Sequence, residues 1–143
     1  MDFWKTGDYL KYATAIREAS RRTGVPEKLL TLTLWQASNF DPEHIKGQCR
    51  NPIGVIGIAN LTREQAYQLW GQGKDLRHDP AASIIGAAHI LSLHQMRFND
   101  WILATLAYHT SAKIVQEHLR EHKAMPIEAT RYAMQVSAQM SLW

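Results

Sequence analysis

Apolar positions recur along most of this chain at the spacing of a helix. Tyr9, Tyr12, Ala13, Ile16 and Ala19 fall at i, i+3, i+4 and i+7 intervals, so they share one face of a helix that Gly24 ends. Pro26 suits the first turn of a second helix, and Leu29, Leu30, Leu32, Leu34 and Trp35 make that helix apolar almost all round. Such a helix belongs in the core, and it should end near residues 39–42. Residues 43–60 have no helical period. Gly47, Pro52, Gly54 and Gly57 punctuate this stretch and Ile53, Val55, Ile56 and Ile58 are β-branched, a mixture that predicts a short irregular β-hairpin. Thr62 and Gln65 form the capping box of a third helix running through Trp70, followed by a turn at 71–73. Pro80 opens a long helix with Ile84, Ala88 and Leu91 at its heart. Asp100 can cap a further helix holding Trp101, Ala104, Leu106, Ala107 and Tyr108. Residues 112–123 continue that helix or form its neighbour, and Pro126 starts a last one with Tyr132, Met134 and Val136. The expectation is a mainly α, single domain over residues 1–143, with a small β-hairpin or irregular segment after the second helix.

Composition narrows the function classes. With 45% hydrophobic and 20% charged residues the chain is globular, which excludes a disordered or fibrous protein. Its net charge of +3 comes from acids and bases interspersed, with no basic stripe, so nucleic acid is not an expected partner. A weak pull toward anionic polymers remains. Cys49 is the single cysteine, which rules out an internal disulfide. The longest apolar runs, such as 101–108, are far short of the roughly 20 residues of a membrane span. The start, Met-Asp-Phe-Trp-Lys, lacks the pattern of a signal peptide, so action outside the cytoplasm would need a removed leader or another delivery route.

Several clusters have plain structural explanations. Arg17, Arg21 and Arg22 sit toward a helix C-terminus, where cations offset the helix dipole. The tryptophans at 4, 35, 70, 101 and 143 are spread out, and most read as core residues rather than ligand platforms. His118-Leu-Arg-Glu121-His122 matches H-x-x-E-H, in which two histidines bind zinc and the glutamate works on bound water. Only 21 residues follow it, too few for a distant third ligand, so it reads as a solvated, charged helix face and no metal is expected. His89 and His94 are five apart and point to different faces.

The stronger signal is an ordered set of segments. Trp35-Gln-Ala-Ser-Asn-Phe-Asp-Pro42 leads into Asn51-Pro-Ile-Gly54-Val-Ile-Gly57-Ile-Ala-Asn60. Asp79-Pro80 with Gly86-Ala-Ala-His-Ile-Leu91 follows, then Asp100-Trp-Ile-Leu-Ala-Thr-Leu-Ala-Tyr108-His109 and Pro126-Ile-Glu128-Ala-Thr-Arg-Tyr132. In this order the chain resembles the soluble lytic transglycosylase family, a branch of the lysozyme-like fold close to goose-type lysozyme. The family stretches read roughly Q-E-S-x-F-x-P, S-P-x-G-A-x-G-L-M-Q, D-P with G-A-x-x-L, D-W-x-x-A-L-A-A-Y-N-A-G and P-x-E-T-x-x-Y. The likeness covers about residues 12–136.

That resemblance implies cleavage of the MurNAc–GlcNAc bond of peptidoglycan by one glutamate at the end of the second helix, with no cofactor. The acid protonates the leaving oxygen and then acts as base while the sugar's 6-hydroxyl closes a 1,6-anhydro ring. Here the position of that glutamate is Ala37, whose methyl group can neither give nor take a proton. Either the chain carries an engineered Glu-to-Ala knockout or it is a natural pseudoenzyme that kept a glycan groove. The well-matched neighbours Gln36, Ser38, Phe40 and Pro42 favour the first. Drift elsewhere favours the second: the hairpin Gln is Asn60, the Asn after the groove tyrosine is His109, Ala-Gly is Thr110-Ser111, and the stretch from Pro42 to Pro52 is about five residues longer than usual. Glu43 and Glu64 read as surface acids rather than replacements. The implied glycan contacts are Ser38, Asn60, Tyr108, His109 and Tyr132. Peptidoglycan strands are the expected partner, in the periplasm or wall. Small size suits a virion or secretion-machine component, and such a structural or glycan-binding subunit is the alternative function.

Overall fold

The first helix, α1 (Tyr9–Thr23), buries Tyr12, Ile16 and Ala19, the apolar stripe of its sequence, and ends on Gly24 in the left-handed conformation. A computed structural model describes residues 5, 7–46 and 55–141 of the chain, with side chains through 139. The second helix, α2 (Glu27–Ser38), is buried at every position from Lys28 to Leu34, as its all-round apolarity requires. Each of its leucines is at most 1% exposed, and burying such a side chain stabilises a fold by about 1.5–3 kcal/mol. Its buried threonine hydroxyls are satisfied inside the helix: Thr31 Oγ1 donates to the Glu27 carbonyl and Thr33 Oγ1 to that of Leu29, both at 2.8 Å.

Where the sequence shows no period, the chain first makes one turn of helix, α3 (Pro42–Ile45). Asp41 caps it by accepting the Glu43 amide, and Pro42 takes the first helical position. Four residues are too few to reveal a helical repeat, so the pattern could not announce this element. Of the expected hairpin, residues 47–54 lie outside the described part. What is described is a single antiparallel bridge, Ile56 with Leu61, closing a turn in which Gly57 has φ +85° and Asn60 φ +52°. A Cβ on Gly57 would stand 2.2 Å from the Arg77 carbonyl, so only glycine fits there. The capping box then starts α4 (Arg63–Trp70) with both reciprocal bonds, Thr62 Oγ1 accepting from the Gln65 amide and Gln65 Oε1 from that of Thr62.

The remaining helices are α5 (Pro80–Phe98), α6 (Trp101–His109), α7 (Ala112–Glu121) and α8 (Ile127–Ser141). Asp100 caps α6, accepting from the amides of Ile102 and Leu103. Ser111 caps α7 by accepting from Ile114, so residues 112–121 form a neighbouring helix rather than a continuation. The chain is mainly helical, and no extended strand is found among the described residues.

Two units can be described separately, Met1–Ala88 and His89–Trp143, the division falling inside α5. In the first, α1 packs on α2, and the buried Arg77 guanidinium donates to the Leu61 carbonyl and pairs with Asp75 at 2.8 Å. In the second, α6 packs on α7 and α8 around Leu106, Ala107, Val115 and Ala129, with Phe98, Leu103, Met125 and Ala133 against them.

Candidate functional site

In the first unit the position of interest lies at the C-terminal end of α2. Ala37 is half-buried in its last turn. Beside it Ser38 is 4% exposed, and its hydroxyl donates to the Leu34 carbonyl at 3.0 Å, leaving its oxygen lone pairs as what it can offer a neighbour. The helix stops in an unusual corner. Asn39 and Phe40 both have φ +54°, and Phe40 is fully buried with its ring edge-on to Tyr9 at 5.4 Å. A left-handed conformation is ordinary for Asn but costly for a bulky residue, on the order of 1–3 kcal/mol. The corner is held from outside: the Asp8 amide donates to the Phe40 carbonyl at 2.8 Å, and a Cβ on Gly7 would meet that carbonyl oxygen at 2.1 Å.

Asn60, the second expected contact of this unit, occupies the last place of the turn closed by Ile56 and Leu61. Its side-chain carbonyl accepts a hydrogen bond from Nε2 of His44, at 2.5 Å. The carbonyl end of the amide is therefore engaged and the NH2 end is turned away from His44 as a donor. His44 is a residue that sequence reasoning did not single out. Its one signal was the Asp-Pro-Glu start of α3, which marks a helix N-terminus without saying what the helix brings near.

The second unit holds the other expected contacts. Tyr108 ends α6 half-buried; burial pushes its hydroxyl well above the ordinary tyrosine value, and the nearby Tyr132 adds repulsion. It is a neutral O–H donor throughout the physiological range. His109 is exposed, and its ring lies 5.2 Å from that of Tyr132, tilted by 42°. Tyr132 itself is 3% exposed, packed in α8.

The histidine-rich segment forms no such site. His118 Nδ1 donates to the Lys123 carbonyl at 2.7 Å, Glu121 pairs with Lys123 at 3.1 Å, and His122 has left the helix as its left-handed cap. No group of three or more His, Cys, Asp or Glu among the described residues could hold a metal ion. His94 is half-buried, and desolvation, with Arg97 nearby, lowers its pKa below the usual 6.5. His89 is exposed. Arg21 pairs with Glu18, and Arg17 reaches Glu27 at 3.7 Å.

Comparison of the sequence with known proteins identifies its family. Residues 14–130 match the family described as Transglycosylase SLT domain, and the chain belongs to that family. Two curated relatives come from Alkalilimnicola ehrlichii (strain ATCC BAA-1101 / DSM 17681 / MLHE-1). Membrane-bound lytic murein transglycosylase F 2 is 34% identical over 92 residues, 64% of this chain and 19% of that protein. Membrane-bound lytic murein transglycosylase F 1 is 37% identical over 82 residues, 57% of this chain and 15% of that protein. The matched stretch thus spans less than a fifth of the length of either relative. No helix of the described residues is long and apolar enough to cross a membrane.

Proposed function

We propose that this chain is a peptidoglycan-binding domain of the lytic transglycosylase type, whose active form cleaves the MurNAc–GlcNAc bond, and that Ala37 deprives it of the acid the reaction needs. The observation that carries the reading is the family match across residues 14–130, which takes in the buried α2, the turn at Asn60, Tyr108 and the start of α8. Ser38, Asn60, Tyr108, His109 and Tyr132 are the glycan-contacting positions in this reading. The two relatives, named as murein transglycosylases, support the same substrate.

The chemistry needs one carboxyl group in two roles. As acid it gives its proton to the bridging oxygen as the glycosidic bond breaks. As carboxylate it takes the proton of the 6-hydroxyl, whose oxygen bonds to the anomeric carbon and closes the anhydro ring. A glutamate at position 37 would sit half-buried at the end of an apolar helix, where desolvation raises a carboxyl pKa toward neutrality. Alanine removes the proton carrier and leaves the surroundings. A missing general acid costs about 100- to 10,000-fold in rate.

Ala37→Glu, assayed by release of anhydro-muropeptides from purified peptidoglycan, should raise activity by about 100- to 10,000-fold. A well-folded Ala37→Glu protein with no product overturns the catalytic reading. A Glu codon at position 37 of the coding gene would identify the alanine as engineered. The second reading is a natural, non-catalytic glycan-binding or structural subunit of a virion or secretion machine. It draws support from the changed positions Asn60, His109, Thr110 and Ser111 and from His44 engaging the Asn60 carbonyl. In either case the chain works at the cell wall.

A further inference from the structure

A cleft of about 480 Å³ opens between α4 and the loop that follows it, lined by Arg63, Tyr67, Gln72, Lys74 and Asp75 together with small residues. That volume lies within the roughly 300–1,000 Å³ of small-ligand sites. Its chemistry is one-sided. Arg63 and Lys74 make no ion pair among the described residues, whereas the Asp75 carboxylate is already held by three hydrogen bonds from the Arg77 side chain. Two cations therefore line the cleft without an ion-pair partner among the described residues. Tyr67 stands 58% exposed on its wall, whereas the other tyrosines are half-buried or buried, and offers a ligand an apolar ring with a polar tip. The floor is open as well. Nothing lies within 4 Å of where a Cβ would stand on Gly71 or Gly73, and the amides of Gln72 and Gly73 make no hydrogen bond among the described residues. Cations, open backbone amides and an exposed ring together fit an extended ligand carrying carboxylates and carbon–hydrogen faces.

We infer that this cleft is a second binding site on the polymer, taking the carboxylate-bearing stem peptide of peptidoglycan rather than its sugar backbone. The inference rests on the wall-polymer reading above. A neutral chito-oligosaccharide offers nothing to Arg63 and Lys74, while a stem peptide offers free carboxylates to both and aliphatic side chains to Tyr67. The charge complementarity selects the peptide, and the site lies on α4 and the 71–75 loop, apart from the α2 corner.

Backbone-amide NMR of the chain as it stands tests this with two probes, the free stem tetrapeptide and chitotetraose. The tetrapeptide should shift the amides of Tyr67, Gly71, Gly73 and Lys74, and chitotetraose those around Ala37 and Asn60. In the double variant Arg63→Gln, Lys74→Gln the tetrapeptide should bind at least about tenfold more weakly, with chitotetraose unchanged. No shift at the cleft, shifts equalled by acetate at the same carboxylate concentration, or a double variant that binds the tetrapeptide as tightly as the parent overturns the inference. Loss of the chitotetraose shifts alone overturns the glycan-groove reading and leaves the peptide result to stand by itself.

Discussion

The contact between His44 and Asn60 shows how much one side chain can decide. An amide can present either end to a ligand, and the bond from Nε2 fixes which one. His44→Ala should remove this part-buried hydrogen bond at a cost of about 0.5–1.5 kcal/mol in folding stability, and weaken chito-oligosaccharide binding, because the amide is then free to turn. Calorimetric titration beside urea unfolding checks both effects; unchanged affinity would detach His44 from the groove. This pairing could not be read from the sequence. The partners are 16 residues apart, and neither motif nor period ties them together. The proposed role of Ala37 rests on the opposite case, a residue that breaks a local pattern whose other members are present. Arg77, like His44, was not legible: its burial depends on Asp75 and the distant Leu61 carbonyl, and a charged residue gives no hint of being inside.

At the scale of elements, helices with one apolar face and a recognisable cap were readable almost to the residue. The Thr62–Gln65 box and the Asp100 cap stand where their side-chain chemistry put them. Asp100→Ala should cost about 0.5–2 kcal/mol by leaving the amides of Ile102 and Leu103 without their acceptor, measurable as a lower unfolding midpoint. Gly57→Ala should cost more, about 1–3 kcal/mol for the left-handed backbone alone, with the clash against the Arg77 carbonyl added. A Gly57→Ala protein as stable as the parent would show that the Ile56–Leu61 turn can give way. The region between α2 and α4 resisted reading for a physical reason. A one-turn helix and a single bridge are too short for periodicity, and their conformation is set by contacts with the rest of the fold.

For the molecule as a whole, acid should be destabilising in two stages. Hydrogen bonds from Arg77 hold the Asp75 carboxyl at about 2 against an ordinary 3.8, and burial holds His94 below 6.5. In both cases the unfolded chain binds the extra proton first, so stability rises with pH and falls on acidification. The thermal unfolding midpoint should begin to fall below about pH 6.5 as His94 is protonated in the unfolded chain, and fall again between about pH 4 and 2 as Asp75 loses its charge. His94→Gln should flatten the first stage; a midpoint that climbs between about pH 7 and 5 would contradict the assignment. The corner after α2 carries a different lesson, for anyone handling this protein. Because Gly7 presses against the Phe40 carbonyl and the Asp8 amide is bonded to it, an affinity tag or protease scar that replaces residues 7 and 8 would pry open the turn next to position 37. A fusion partner should be joined upstream of those residues, with its own spacer, if the corner is to keep its shape.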